Sequence, residues 1–492
     1  MSESYIIGID QSTQGTKALL FNKNAELLFR EDIPHRQIIN EAGWVSHDPE
    51  EIYDNTVKVV KRLLENHKIS SKDVCAIGIS NQRETSVLWD RLTGKAMNQA
   101  IVWQCARAAD ICNREVLQEK RDYIFKHTGI PLSPYFPAAK IAWLLENTED
   151  AREKAKNHTV CHGTVDSWLV YRLTNGKSYK TDYSNASRTQ LFDIIDLKWN
   201  EEICRLFGID VANLPEITDS DGYFGETTLE GYFEKPVPIH AVLGDSHAAL
   251  YGQECHREGM VKATYGTGSS IMMNVGEKPV LSTHGLVSSL AWRKSGKAEF
   301  VLEGNLNYTG AVITWLKDDM KMIESPGETE VLAEAAIKND TLYLVPAFSG
   351  LGAPYWNSAA RASAVGMSRT TGRNEFVRAG VECIAYQISD IISAMEEDSG
   401  IKVEELRVDG GPTRNSYLMQ FQSDILDAAV YIPAAEELSG IGTAYMAGIA
   451  AGLWNQDIFK SLKRKAFLPA MEKSDREKKI SGWKDAVRKV VM

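Results

Sequence analysis

Tyr5-Ile6-Ile7-Gly8-Ile9-Asp10-Gln11-Ser12-Thr13-Gln14-Gly15-Thr16-Lys17-Ala18-Leu19-Leu20-Phe21 is an apolar run, a turn of small and hydroxyl-bearing residues, and a second apolar run. The pattern predicts a β-hairpin with Asp10 at the carboxyl end of its first strand. That is the end where α/β proteins place ligands. A second run, Ile239-His240-Ala241-Val242-Leu243-Gly244, ends on Asp245-Ser246 and is expected to open into a similar turn. A third turn, Tyr265-Gly266-Thr267-Gly268-Ser269-Ser270, has glycines and hydroxyls but no acid. One strand-end aspartate alone is more simply a turn or helix cap. Two acids with two hydroxyl-rich turns are parts for holding a magnesium nucleotide and deprotonating an alcohol.

Working outward, Asp48-Pro49-Glu50-Glu51 is a helix start, with Asp48 as N-cap, Pro49 at the first helical position and an acid at the third. The helix should run to about Asn66 and bury Ile52, Val57, Val60 and Leu63 or Leu64. The strand Val74 to Ser80 follows and ends in the polar cluster Asn81-Gln82-Arg83-Glu84-Thr85. Strands, helices and polar strand ends in this order predict an α/β fold. Met260 to Tyr265, the Gly266-Thr267-Gly268 turn and Ile271-Met272-Met273 restart the plan. That predicts an internal repeat, a boundary near residue 250 and a cleft between the halves.

A chain of 492 residues is too long for one core, so two or three large domains are expected. Its 43% hydrophobic and 25% charged content is ordinary for an enzyme. A net charge of -11 argues against nucleic acid as a partner, and the basic stretch Lys460 to Lys465 reads as a solvated face. Seven cysteines without CxxC spacing read as reduced thiols in a cytoplasmic protein, with no zinc site. Neither a signal peptide nor a membrane-inserted segment is expected. Asn175-Gly176-Lys177-Ser178 ends like a P-loop, but Tyr171 stands where the first glycine is needed. H-E-x-x-H, G-x-S-x-G and a strand-linked dinucleotide fingerprint are all missing.

Longer blocks carry more information. They include Asn81 to Thr85, Ala100-Ile101-Val102-Trp103-Gln104-Cys105, Tyr135 to Asn147, Thr181 to Thr189 and Pro346 to Trp356. In register from Ile7 to about Trp483, they resemble the FGGY family of carbohydrate kinases. They are most similar to the branch that phosphorylates glycerol. The block from Ala362 to Glu382 is looser, because Ala364 stands where a larger apolar residue is usual.

The resemblance implies two actin/hexokinase/Hsp70-like (ribonuclease H-like) ATPase domains with a cleft between them. Residues 1–250 would bind polyol and supply the base, and residues 251–492 would bind nucleotide. It implies ATP and Mg²⁺, a small polyol partner and a homodimer or homotetramer. Asp245 matches the catalytic base and a metal neighbour, and Asp10 matches the acid that holds Mg²⁺, usually through water. Arg83, Glu84, Trp103 and Tyr135 match polyol contacts. Thr13, Gln14, Lys17, Thr267, Gly310, Ile313, Thr314, Gly411 and Asn415 match nucleotide contacts.

The sequence departs from that branch at informative places. Ser246 replaces the usual Gln after the base, and Ser270 replaces the usual Phe. Both positions touch the polyol, so a wider, more polar pocket is expected. Thr314 replaces Gln and Ser12 replaces Gly. The loop Glu230 to Lys235 lacks the Gly/Arg pattern of a fructose-1,6-bisphosphate site, and Tyr232 stands where some relatives carry a phosphorylatable His. The leading expectation is phosphorylation of glycerol to glycerol 3-phosphate. A longer polyol or ketose is the alternative, and a non-catalytic sensor is the reading that intact Asp10, Arg83, Glu84 and Asp245 oppose.

Overall fold

The computed structural model describes residues 3–492. Two large sheets, each built on a hairpin, organise the chain. In the first, strand Tyr5–Gln11 pairs antiparallel with Gly15–Phe21, which pairs antiparallel with Leu27–Pro34. On its other side Tyr5–Gln11 runs parallel to Val74–Asn81, and that strand runs parallel to Val237–Gly244. In the second sheet Val261–Tyr265 pairs antiparallel with Ser269–Gly276, which pairs antiparallel with Lys297–Leu306. On its other side Val261–Tyr265 runs parallel to Glu405–Asp409, followed by Ala429–Pro433. The same order of strands occurs twice, so the repeat legible around Tyr265 is a repeat of topology.

Burial explains the apolar runs. Tyr5–Gln11 is buried at every position because helices cover both faces of the first sheet. One cover is the helix Pro49–Asn66, which begins and ends where the sequence places it. Asp48 accepts a hydrogen bond from the Glu50 N–H at 2.9 Å, and Ile52, Val57, Val60, Leu63 and Leu64 are buried. Glu51 does not reach back to the cap; it accepts from the Arg36 N–H at 3.2 Å.

The other cover comes from far along the chain. Helix Leu438–Ala450 lies against Tyr5–Gln11, Val74–Asn81 and Val237–Gly244. Glycines permit the approach: a Cβ on Gly8 would stand 2.6 Å from the Gly440 carbonyl oxygen, and one on Gly78 2.4 Å from that of Thr443. Ile6, Leu19, Phe21, Ala76 and Leu243 therefore share one core with Ile441, Ala444, Tyr445 and Met446.

A five-stranded sheet inserted in the first half carries Ser86–Asp90 and Val160–Thr164, with short helices packed on it. In the second half the long helix Arg373–Ser399 packs under the C-terminal helix Lys473–Val491. There Tyr355 Oη, at 2.9 Å, and Trp483 Nε1, at 2.8 Å, both donate to Asp390 Oδ2. Burial pushes the Asp390 carboxyl up to about 6 against those two hydrogen bonds. All seven cysteines are unpaired. Among the described residues, no helix is long and apolar enough to cross a membrane.

Candidate active site

The parallel strands of the first sheet end in register, with Asp10 beside Ser80, and Asn81 between Gln11 and Gly244. Everything that follows these strand ends is therefore brought together. Asp10 is 6% exposed. Its Oδ1 accepts from Ser80 Oγ at 2.5 Å, and its Oδ2 lies 3.7 Å from Lys17 Nζ. Burial lifts its carboxyl above the ordinary range, opposed by Lys17 and the Ser80 bond and reinforced by the negative charge of Asp245. Lys17 also pairs with Glu437 at 2.7 Å.

Asp245 does not open a turn as the sequence reading expected. It is the first residue of helix Asp245–Gly252, with Gly244 as the cap. The positive end of the helix dipole favours an acid there. Asp245 Oδ1 accepts from Arg83 Nε at 3.1 Å and from the Ser246 N–H at 2.6 Å. Both bonds fall on one oxygen, Oδ1, and neither engages Oδ2.

Arg83 and Glu84 are buried, not exposed as an ion pair after a strand would be. Glu84 adopts the left-handed backbone conformation, φ 58°, rare outside glycine. Its carboxylate accepts from Arg188 Nε at 2.6 Å, and its carbonyl from Lys140 Nζ at 3.4 Å. The same Lys140 donates to the Tyr135 carbonyl, and burial pushes its ammonium down to about 7. Trp103 and Tyr135 meet edge to face, ring centroids 5.7 Å apart. The Trp103 indole N–H donates to Thr13 Oγ1 in the first hairpin turn. In that turn the Gln14 carbonyl accepts from the His35 N–H.

The second hairpin turn forms one wall of an open cleft of about 570 Å³, an ordinary size for a ligand site. Gly266, Thr267, Gly310, Ile313, Thr314, Gly411 and Asn415 line it, so six of the nine residues matched to nucleotide contacts fall together, while Thr13, Gln14 and Lys17 belong to the first hairpin and do not line this cleft. The Gly310 N–H bonds the Gly266 carbonyl at 2.9 Å, which ties the turn to the start of helix Gly310–Asp318. Thr314 Oγ1 turns back to the Gly310 carbonyl. Gly410, at φ 101°, lets the backbone pass Tyr265, where a Cβ would stand 2.0 Å from the carbonyl oxygen. Gly411 faces open space.

Sequence reasoning missed several members of the site. Thr329 and Glu330 also line the cleft; Asn415 Nδ2 donates to Thr329 Oγ1 at 3.0 Å. Arg188, Lys140 and Glu303 are buried charges around Arg83 and Glu84. Two of the three had a signal, since Lys140 and Glu303 are lone charges in apolar runs and a charge is rarely buried without a partner.

Comparison with known proteins gives the family. Residues 5–252 match the N-terminal domain of the FGGY family of carbohydrate kinases, and residues 261–451 match the C-terminal domain. The chain belongs to that family. A glycerol kinase of Bacillus licheniformis is 44% identical over 492 residues, covering 99% of this chain and 98% of that protein. A glycerol kinase of Carboxydothermus hydrogenoformans is 44% identical over 490 residues, with the same coverage. Among solved structures, glycerol kinase of Plasmodium falciparum with ADP superposes with a TM-score of 0.93 at 35% identity, covering 100% of this chain and 99% of that one.

Proposed function

We propose that this protein transfers the γ-phosphoryl group of ATP to glycerol, giving glycerol 3-phosphate and ADP. The observation that carries the reading is 44% identity to glycerol kinases across 99% of the chain. In this reading residues 1–250 hold the polyol and the base, and residues 251–492 hold the nucleotide. Phosphoryl transfer needs positioning and charge stabilisation more than covalent help. Arg83 donates to polyol oxygens and Glu84 accepts from polyol hydroxyls, while Trp103 and Tyr135 wall the carbon chain. Asp245 Oδ2 takes the proton of the reacting hydroxyl as its oxygen bonds the γ-phosphorus and the bond to ADP breaks. Thr13 from the first turn, Lys17 from the strand that follows it and Thr267 from the second turn face the phosphates; Gly411 and Asn415 border the adenosine.

The donor chemistry at Asp10 and Asp245 fits Mg²⁺. Both are hard carboxylate oxygens, and their mutual repulsion is what a cation relieves. Among the described residues no cluster of three or more protein ligands surrounds them. A sparse set of this kind suits an ion that keeps several waters. When bound there, Mg²⁺ neutralises phosphate charge. The unpaired cysteines support a reducing, cytoplasmic setting, and a homodimer or homotetramer is the assembly proposed with this family reading.

One observation favours a second substrate range. Ser246 and Ser270 place hydroxyls where glycerol-specific relatives carry Gln and Phe, and Ser270 Oγ is anchored to Glu303 at 3.2 Å. A longer polyol or ketose would use that polar wall. A coupled ADP-release screen over glycerol, erythritol, threitol, ribitol, arabinitol, xylitol and the pentuloses tests both. Highest kcat/KM on glycerol supports the first reading, highest on a four- or five-carbon substrate supports the second, and no turnover on any overturns both.

A further inference from the structure

Glu303 lies in the strand Lys297–Leu306 of the second sheet and is 1% exposed. Its partners come mostly from the first half of the chain. Arg83 Nη1 donates to Oε2 at 2.8 Å and Nη2 to Oε1 at 2.9 Å, a two-pronged pair. Arg188 Nη1 lies 2.8 Å from Oε2. Ser270, a diagonal neighbour in the adjoining strand, donates its hydroxyl to Oε1 at 3.2 Å. Burial by itself would raise the Glu303 carboxyl, but Arg188 and Arg83 outweigh it and hold the group well below the usual carboxylate range. The acid is therefore ionised inside the protein, between two guanidinium groups.

From this carboxylate two arms reach the polyol site. One runs through Arg83 to Asp245 Oδ1 at 3.1 Å. The other runs through Arg188 to Glu84 Oε1 at 2.6 Å. Arginine is long and rich in rotamers, and a fork that is free to turn binds a hydroxyl poorly because it must first be ordered. Glu303 fixes the Arg83 fork through two hydrogen bonds and holds Arg188 by charge, since among the described residues the Arg188 Nη atoms find no hydrogen-bond partner. Withdrawing it would leave Arg83 only its Nε contact to Asp245, and would leave Arg188 buried with Glu84 as its one acid.

We infer that Glu303 is a positioning residue supplied by the second half of the chain, and that it holds Arg83 and Glu84 in the polyol-binding arrangement only while the two halves are apposed. The inference rests on the polyol-kinase reading for the roles of Arg83 and Glu84. It adds a coupling: whatever favours apposition tightens polyol binding. Nucleotide in the cleft and polyol on Arg83 must then strengthen each other by the same factor.

The test compares wild type with Glu303→Gln, which removes the charge, and Glu303→Asp, which keeps the charge but shortens the reach. The polyol is the best substrate of the screen. The expected result is a polyol KM raised roughly 10–100-fold by Glu303→Gln and less by Glu303→Asp, with the affinity for ADP in the absence of polyol changed by less than about threefold. In wild type, ADP binds more tightly when polyol is present; in both variants that enhancement is expected to fall towards unity. Ligand-free small-angle scattering is expected to show a larger radius of gyration for Glu303→Gln. A folded variant with wild-type polyol KM and wild-type ADP–polyol enhancement overturns the inference. So does an equal loss of polyol affinity and of polyol-free ADP affinity with a lowered Tm, which is the mark of general damage. If wild type phosphorylates no polyol, the substrate reading fails separately; the scattering comparison then decides, and an unchanged radius overturns the inference.

Discussion

The indole N–H of Trp103 donates to Thr13 Oγ1 at 3.0 Å, so the wall proposed for the polyol pocket and the turn proposed to face the phosphates form one hydrogen-bonded unit. The turn is set by the strand pair Tyr5–Gln11 and Gly15–Phe21, whereas Trp103 belongs to the inserted sheet region. A shift in either is felt by the other. The two substrates of a transfer reaction must meet to within a few tenths of an ångström, and a shared hydrogen bond keeps their supports in step.

Asp245→Asn should lower kcat by about 10²–10⁴-fold while leaving the polyol KM nearly unchanged. Asn keeps the acceptor oxygen for Arg83 Nε and the Ser246 N–H but cannot take a proton at the second position. The coupled ADP assay measures both constants. A variant that keeps more than about a tenth of the rate removes Asp245 as the base.

Asp10→Ala should shift the Mg²⁺ activation curve to much higher metal concentration or abolish turnover. The substitution also leaves Lys17 with Glu437 as its one remaining acid. Titrating activity against Mg²⁺ at fixed ATP measures this. An unchanged curve reduces Asp10 to a partner of Ser80 and Lys17.

Much of this site was legible before any coordinates. Asp10, Asp245 and the Thr267 turn announce themselves because ligand sites fall at strand ends, and strand ends are readable from where apolar runs stop. The helix at Pro49 is readable because its cap and its inward face are both local patterns. Glu303, Arg188 and Lys140 were not read as site residues, since what brings them to the candidate site is contact with residues more than fifty positions away. The turn expected after Asp245 proved to be a helix for a different reason. Ala248-Ala249-Leu250 favours a helix by local propensity, a signal the reading passed over, and packing against Leu438–Ala450 reinforces it.

Ser246→Gln combined with Ser270→Phe should lower the ratio of kcat/KM for a four- or five-carbon polyol over glycerol by at least about tenfold. Phe at 270 removes the hydroxyl that bonds Glu303 and fills the space for extra carbons. The ratio is measured on wild type and the double variant with the same substrate series. An unchanged ratio excludes the two serines as determinants of chain length.

Two adjacent glycines should behave in opposite ways. Gly411→Ala sets its Cβ in the open cleft with no protein atom within 4 Å, so the ATP KM should rise several-fold with stability within about 0.5 kcal/mol of wild type. Gly410→Ala forces a side chain onto the Tyr265 carbonyl at a positive φ, so it should cost about 1–3 kcal/mol of stability. Thermal unfolding and nucleotide titration separate the two.

Asp390 should give the stability curve a slope in mild acid. Its folded value is raised from 3.8 to about 6, so folding takes up a proton between those pH values. The stabilisation is complete below about pH 3.8 and is lost as pH rises through about 6. Asn at 390 still accepts from Tyr355 and Trp483, so the Tm of Asp390→Asn relative to wild type should rise from pH 4 to 7 and then level off. A constant difference across that range would mean that Asp390 is ionised throughout.

The cover that helix Leu438–Ala450 gives the first sheet has a bearing on how the protein is made. When the first 252 residues have left the ribosome, Ile6, Leu19, Phe21 and Ala76 have no lid, because the helix that buries them is still almost two hundred residues from synthesis. For that interval the nascent chain carries a bare apolar face, the kind of surface that chaperones hold and that otherwise drives aggregation. Cutting the gene at the family-domain boundary would make that interval permanent.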